Sequence, residues 1–275
     1  MTRAEGNPVL AHTRVVAAGR EPERWLLVLH GIYGAGRNWG SIARRLTDAR
    51  PEWGAVLVDL RMHGQSRGFT GPHTIAASAA DVDRLVDTLD LHAAAVLGHS
   101  FGGKVALTYA LHHGEEPRQA WVIDSTFAVR EPEGTAWEMI EAVRRLPPDF
   151  GSRAEAVEGL MAAGYAEGVA QWMAINLELV DGRYRWRLDF AAMEEMLRDF
   201  FRTDLWSVVE SPPANVELHF VKATRSDTLD PASAARVEAA ARADGRVHLH
   251  LLEGGHWLNT DNPDGVLDLL VRHLP

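Results

Sequence analysis

Short apolar runs alternate with stretches of helical spacing along the first half of this chain. Trp25 to Leu29, Ala55 to Leu60, Ala93 to Leu97 and Ala120 to Asp124 are apolar runs of strand length, the pattern of strands buried on both faces. Between them Trp39 to Leu46, Ile75 to Leu89 and Lys104 to His112 place apolar residues three and four apart, as helices covering such a sheet do. Asn38 stands at the N-cap position of the first helix. Asp81, Asp83 and Asp87 read as the outward face of the second. Val9 to Ala17 has strand character and runs into Gly19, Glu21 and Pro22, which predicts an edge hairpin. Strands alternating with helices imply parallel pairing in a mostly parallel, doubly wound α/β sheet.

The rhythm stops between Phe127 and Pro213. That stretch is too long for a loop and carries helical patterns and four tryptophans, Trp137, Trp172, Trp186 and Trp206, so it reads as a helical insertion. Pro147-Pro148 interrupts it and Ser211-Pro212-Pro213 closes it. Val216 to Ala223 and Val247 to Leu252 then return to strand pattern, with helices over Ala232 to Ala243 and Pro263 to Leu274. The expected organisation is a core in two parts, 1–126 and 214–275, with the insertion at 127–213.

Composition narrows the function classes. The 275 residues are 46% hydrophobic, enough for a large core, and carry a net charge of -10. Lys and Arg number 28 against 38 Asp and Glu, which argues against nucleic acid, because phosphate neutralisation needs a basic stripe. There is no cysteine, so there is no thiol nucleophile, disulfide or thiolate metal site. Met1 to Pro8 carry charge without an apolar core, unlike a signal peptide. No apolar stretch reaches the roughly 18 residues of a membrane span. A cytoplasmic protein is the expectation, as a monomer or a small homo-oligomer.

The chemistry centres on Gly98-His99-Ser100-Phe101-Gly102-Gly103. It follows a strand and opens a helix, the context in which G-x-S-x-G puts a serine on a strained turn with its hydroxyl clear of the backbone. Gly98 and Gly102 leave room for that turn. A serine needs a base, and the base needs a third group to hold its tautomer. His256, on a glycine-flanked loop after the last strand, reaches the same sheet edge. Two strand ends offer the acid: Asp124, after the strand that follows the Ser100 helix, or Asp227 and Asp230, after the next. The Phe101 amide, next to the nucleophile, and the Ile32 amide, in His30-Gly31-Ile32-Tyr33-Gly34, are placed to receive an oxyanion. His30 and His99 read as braces for those loops. His112, His113, His248 and His250 have no ligand partners at metal spacing in the chain, so no metal and no cofactor are expected.

Taken in order, His30-Gly31-Ile32-Tyr33-Gly34, Asp59-Leu60-Arg61-Met62-His63-Gly64-Gln65-Ser66, Gly98-His99-Ser100-Phe101-Gly102-Gly103 and Gly254-Gly255-His256-Trp257 resemble the α/β-hydrolase superfamily along almost the whole chain. Within it the chain is most similar to the YbfF-like esterases, which hydrolyse acyl esters and thioesters. The resemblance implies an α/β-hydrolase fold with a helical cap at 127–213. It also maps the acid onto Asp124, with Ser226 at the more usual acid position; Asp227, next door, stays the alternative. Tyr33, Phe101, Trp186, Trp206 and Trp257 are expected to line an acyl pocket.

The resulting expectation is a serine hydrolase of small to medium carboxylic esters or thioesters. Carbon-carbon bond hydrolases and cofactor-free perhydrolases share the same three residue types. A low-turnover ligand-sensing protein is the reading from another class.

Overall fold

In the computed structural model, residues 8–112 and 116–275 are described. The Met1-to-Asn7 part of the leader reading, and the reading of His113, lie outside them. The chain forms β1 (His12–Val15), β2 (Arg24–Leu29), α1 (Gly40–Ala49), β3 (Trp53–Val58), α2 (Ile75–Leu89), β4 (Ala95–His99), α3 (Phe101–His112) and β5 (Gln119–Ile123). The 127–213 segment holds α4 (Thr135–Arg145), β6 (Asp149–Phe150), α5 (Arg153–Ala162), α6 (Glu167–Ala174), β7 (Leu177–Val180), β8 (Arg183–Trp186), α7 (Phe190–Arg202) and α8 (Trp206–Glu210). After it come β9 (Glu217–Ala223), α9 (Pro231–Ala243), β10 (Val247–Leu252), α10 (Leu258–Asp261) and α11 (Pro263–His273).

The main sheet runs β1-β3-β2-β4-β5-β9-β10, and every pair in it is parallel except β1 with β3. The expected edge hairpin is therefore corrected. The first strand is at an edge, but it crosses β2 to pair with β3, because β2 is paired on both sides by β3 and β4. One face of the sheet is buried under α1 and α11, with Ile42, Leu46 and Leu269 in its core. The other is buried under α2, α3 and α9 through Val82, Val105 and Val237, in a core continuous with the insertion.

β5 and β9 are neighbours in the sheet, so the 127–213 segment leaves and re-enters between adjacent strands without interrupting it. The insertion is not wholly helical: β6, β8 and β7 form a three-stranded antiparallel sheet. Asp181 and Gly182, at φ +50° and +78°, make the two-residue turn between β7 and β8. An Asp-Gly pair between short apolar runs is a hairpin signal. Lys104 of α3 ties both ends of the insertion down: its buried Nζ donates to the carbonyls of Ala128, Phe200 and Thr203 at 3.2, 2.7 and 2.6 Å.

Two local expectations change. Asn38 does not cap α1; its side chain accepts from the Ala35 amide at 2.7 Å, closing the short 3-10 turn Gly36–Trp39. Asp81 is not outward. It is buried and pairs with Arg61 at 2.6 Å, the two side chains 1% and 2% exposed. The buried guanidinium needs that carboxylate, and a lone acid on a helix does not announce a distant arginine.

Candidate active site

The centre of the site is the turn from β4 to α3. Ser100 adopts φ +52°, a left-handed conformation that costs a non-glycine residue of order 1 kcal/mol or more and persists only where the surroundings impose it. They do so here by close packing. A Cβ on Gly98 would fall 1.9 Å from the Gly102 carbonyl oxygen, and one on Gly102 would fall 2.6 Å from that of His30. Ser100 is also tied to the end of β5, its amide donating to Ile123 O at 3.0 Å and its carbonyl accepting from Ser125 Oγ at 2.7 Å.

His256 sits on the loop after β10, and its Nδ1 is 2.7 Å from Asp124 Oδ2. Asp124 follows β5 and is completely buried. Burial alone would raise its pKa; the His256 contact, the Ser226 hydroxyl on Oδ2 and the Ala223 amide on Oδ1 at 3.1 Å together hold it below the usual aspartate value. Thr228 Oγ1 lies 3.2 Å from His256 Nδ1 and the same distance from Ser226 Oγ. The structure therefore brings Asp124 to His256 and leaves Asp227 exposed. Ser226, at the position where the resemblance expects a small polar residue, binds the carboxylate that replaces it.

A second set of residues sets the loop after β2. His30 donates from Nδ1 to Gly31 O at 2.7 Å and accepts the Leu60 amide on Nε2 at 3.0 Å. His63 donates from Nδ1 to Arg61 O at 2.9 Å and accepts the Tyr33 amide at 3.1 Å. Burial lowers their pKa values to about 4 and about 3, so both are neutral imidazoles of one tautomer. Asp59 adds a third brace by accepting from the Gly36 amide at 2.8 Å. The Asp59-to-Ser66 motif thus acts as a scaffold for the neighbouring loop. Tyr33 N is used by His63 and Gly34 N by Gly31 O, while Ile32 lines the cavity beside Ser100. The Phe101 amide opens α3 and has no acceptor within the helix. His99 braces the far side: its Nε2 lies 2.8 Å from His256 O, and burial keeps it neutral with a pKa near 3.

Ser100, His256, Ile32, Tyr33 and Trp257 share one cavity of about 490 Å³, within the range of small-molecule sites. Its other wall comes from α4 and α6 through Ala136, Met139, Val169 and Trp172. Trp172 packs 5.6 Å from Trp257, ring centre to ring centre. Three pocket expectations are corrected. The Phe101 ring is buried against Phe200 and lines no part of the cavity. Trp186 packs on Phe150 and Phe190 within the insertion. Trp206 packs on Phe127, with Arg236 across its face. Trp172 is the tryptophan of the 127–213 segment that lines the cavity. It shares a helix face with Gly168 and Val169, opposite the buried Ala170 and Met173, but nothing in the chain says which face of α6 meets the core domain.

A strained serine between a parallel strand and a helix, at the carboxyl edge of a mostly parallel sheet, is the architecture of the α/β-fold hydrolases. The chain belongs to the alpha/beta hydrolase family, whose model matches residues 26–269. It is similar to the sn-1-specific diacylglycerol lipase ABHD11 of Xenopus tropicalis, 30% identical over 191 residues, which cover 66% of this chain but 58% of that lipase. Lipase LipV of Mycobacterium tuberculosis is 27% identical over 210 residues, 73% of this chain and 74% of the lipase. Among solved structures, a marine microorganism esterase superposes with TM-score 0.83 at 23% identity, covering 97% of this chain and 99% of its own. E-2-(acetamidomethylene)succinate hydrolase gives 0.74 at 22%, covering 96% and 98%. At those identities the structural likeness is one of fold. Among the described residues no helix is long and apolar enough to cross a membrane.

Proposed function

We propose that this hydrolase cleaves carboxylic esters or thioesters of small to medium acyl groups through an acyl-enzyme on Ser100. The observation that carries the reading is the 2.7 Å contact between His256 Nδ1 and a fully buried Asp124, opening on the cavity that holds the strained serine. Asp124 holds His256 with its proton on Nδ1, leaving Nε2 to take the Ser100 proton as the hydroxyl attacks the acyl carbon. The Ile32 and Phe101 amides receive the developing oxyanion. His256 then protonates the leaving oxygen or sulfur, and water, deprotonated by the same imidazole, releases the acid. The 127–213 insertion acts as a cap, with α4 and α6 covering the acyl group. Lipases among the relatives support ester cleavage.

The test is nitrophenol release from a graded series of acyl nitrophenyl esters by the wild type and by Ser100→Ala. The expected result is turnover that peaks at one chain length and falls by several orders of magnitude in the variant. Equal turnover by the two proteins would overturn the mechanism.

A further inference from the structure

We propose that Glu217, His219 and His248 form a site for one divalent transition-metal ion of the zinc or cobalt type, at the β9–β10 edge of the sheet. Glu217 and His219 are two residues apart on β9 and so share a face. His248 stands directly opposite His219 in the parallel register. The three side chains bring one ligand atom each to within 4.8 Å of one another. In the chain His248 has no neighbour at metal spacing; the sheet register supplies two, which corrects the expectation that it lacked ligand partners.

The strongest evidence is His219. Its side chain is 2% exposed, yet its Nε2 makes no hydrogen bond. The atom faces Glu217 Oε2 at 3.5 Å. The other ring nitrogen, Nδ1, lies 3.1 Å from His250 Nε2. When Nδ1 carries the proton and donates it to His250, Nε2 is a bare lone pair turned toward a carboxylate oxygen. A cation between them relieves that repulsion. A ligating histidine whose second nitrogen is bound by a neighbour is the usual arrangement around a metal.

The spacing also fits. Ligand atoms about 2.0–2.1 Å from a tetrahedral ion lie about 3.4 Å apart, and Glu217 and His219 already stand at that separation. Glu217 is 49% exposed and His248 is half-buried on the edge strand, and the gap that remains is on the His248 side. Two further contacts hold the set in place. Gln119 Nε2 donates to Glu217 Oε2 at 3.0 Å, and the Trp121 ring stacks 4.0 Å from that of His219. Two imidazoles and a carboxylate suit a borderline ion and leave a position for water. Because His219 lies four residues before Ala223 on β9, the ion would clamp the sheet edge and take no part in acyl transfer.

The test is titration of the full chain with Co²⁺, read by visible absorption, with thermal melting in Zn²⁺ alongside. One Co²⁺ per chain should bind at micromolar concentration and Zn²⁺ should raise the melting temperature. His248→Ala and Glu217→Gln, both at accessible positions, should each weaken binding at least about tenfold. His256→Ala should bind as the wild type does, which separates this site from the candidate active site. Binding only at millimolar concentration, or binding that survives both variants, or loss only in His256→Ala, would overturn the proposal.

Discussion

The two walls of the cavity are built in different ways. On the core side, backbone is held by polar side chains: His30 and His63 fix the Ile32 loop, Asp124 and Ser226 fix His256, and Ser125 fixes the serine turn. On the insertion side, Met139, Val169 and Trp172 present apolar surface, and the segment is moored at a few points, one of them in the cavity wall itself. Tyr33 Oη donates to Ala136 O at 2.6 Å and Asn176 Nδ2 to Tyr33 O at 2.8 Å, while Lys104 holds both its ends. A hydrogen-bonded wall fixes atoms to a fraction of an ångström, as proton transfer requires. An apolar wall sets volume, which depends little on which side chain supplies it.

The largest effect expected from that contrast is on the acid. Asp124→Asn should lower kcat by about 10³–10⁴-fold, because the histidine tautomer is lost, whereas Asp227→Asn, at an exposed position, should change it less than about twofold. Comparable losses in both would break the assignment.

A smaller effect separates two tryptophans of the insertion. Trp206→Ala should cost about 3–5 kcal/mol of unfolding free energy, as for other buried aromatic truncations, and leave the preferred acyl length unchanged. Trp172→Ala should do the reverse, moving the preference toward longer chains with rate changes of about tenfold or less. Denaturant melts and the ester series read the two outcomes separately.

Stability should also respond to pH. His30, His63 and His99 have folded pKa values of about 4, 3 and 3 against 6.5 when unfolded. Below pH 6.5 the unfolded chain therefore takes up protons that these rings refuse, and stability falls as pH is lowered toward 4. Each ring contributes up to about 1.4 kcal/mol per pH unit over that window. His63→Gln should flatten the slope between those limits; an unchanged slope would mean that the core-side brace is not what burial makes of it.

Most of the core wall was legible because its function depends on backbone. Gly98, Gly102 and Ser100 make a turn only in one local context, and strand lengths and helix spacing supply that context directly. Between β5 and β9 the break in the strand-helix rhythm was legible, and so was the presence of helices there. The pocket face of the insertion was not, since α6 is apolar on two sides, and Trp186 and Trp206 are as aromatic as Trp172.

By itself, the sequence determined the alternation of strands and helices, the strained serine turn, the histidine loop and the family, because each rests on spacing within a few dozen residues. Only the tertiary structure decided which acid meets His256, that Arg61 and Asp81 are a buried pair, and that Glu217, His219 and His248 stand together. These contacts join residues 20 or more positions apart, or depend on which strands become neighbours, and local propensity carries no information about either.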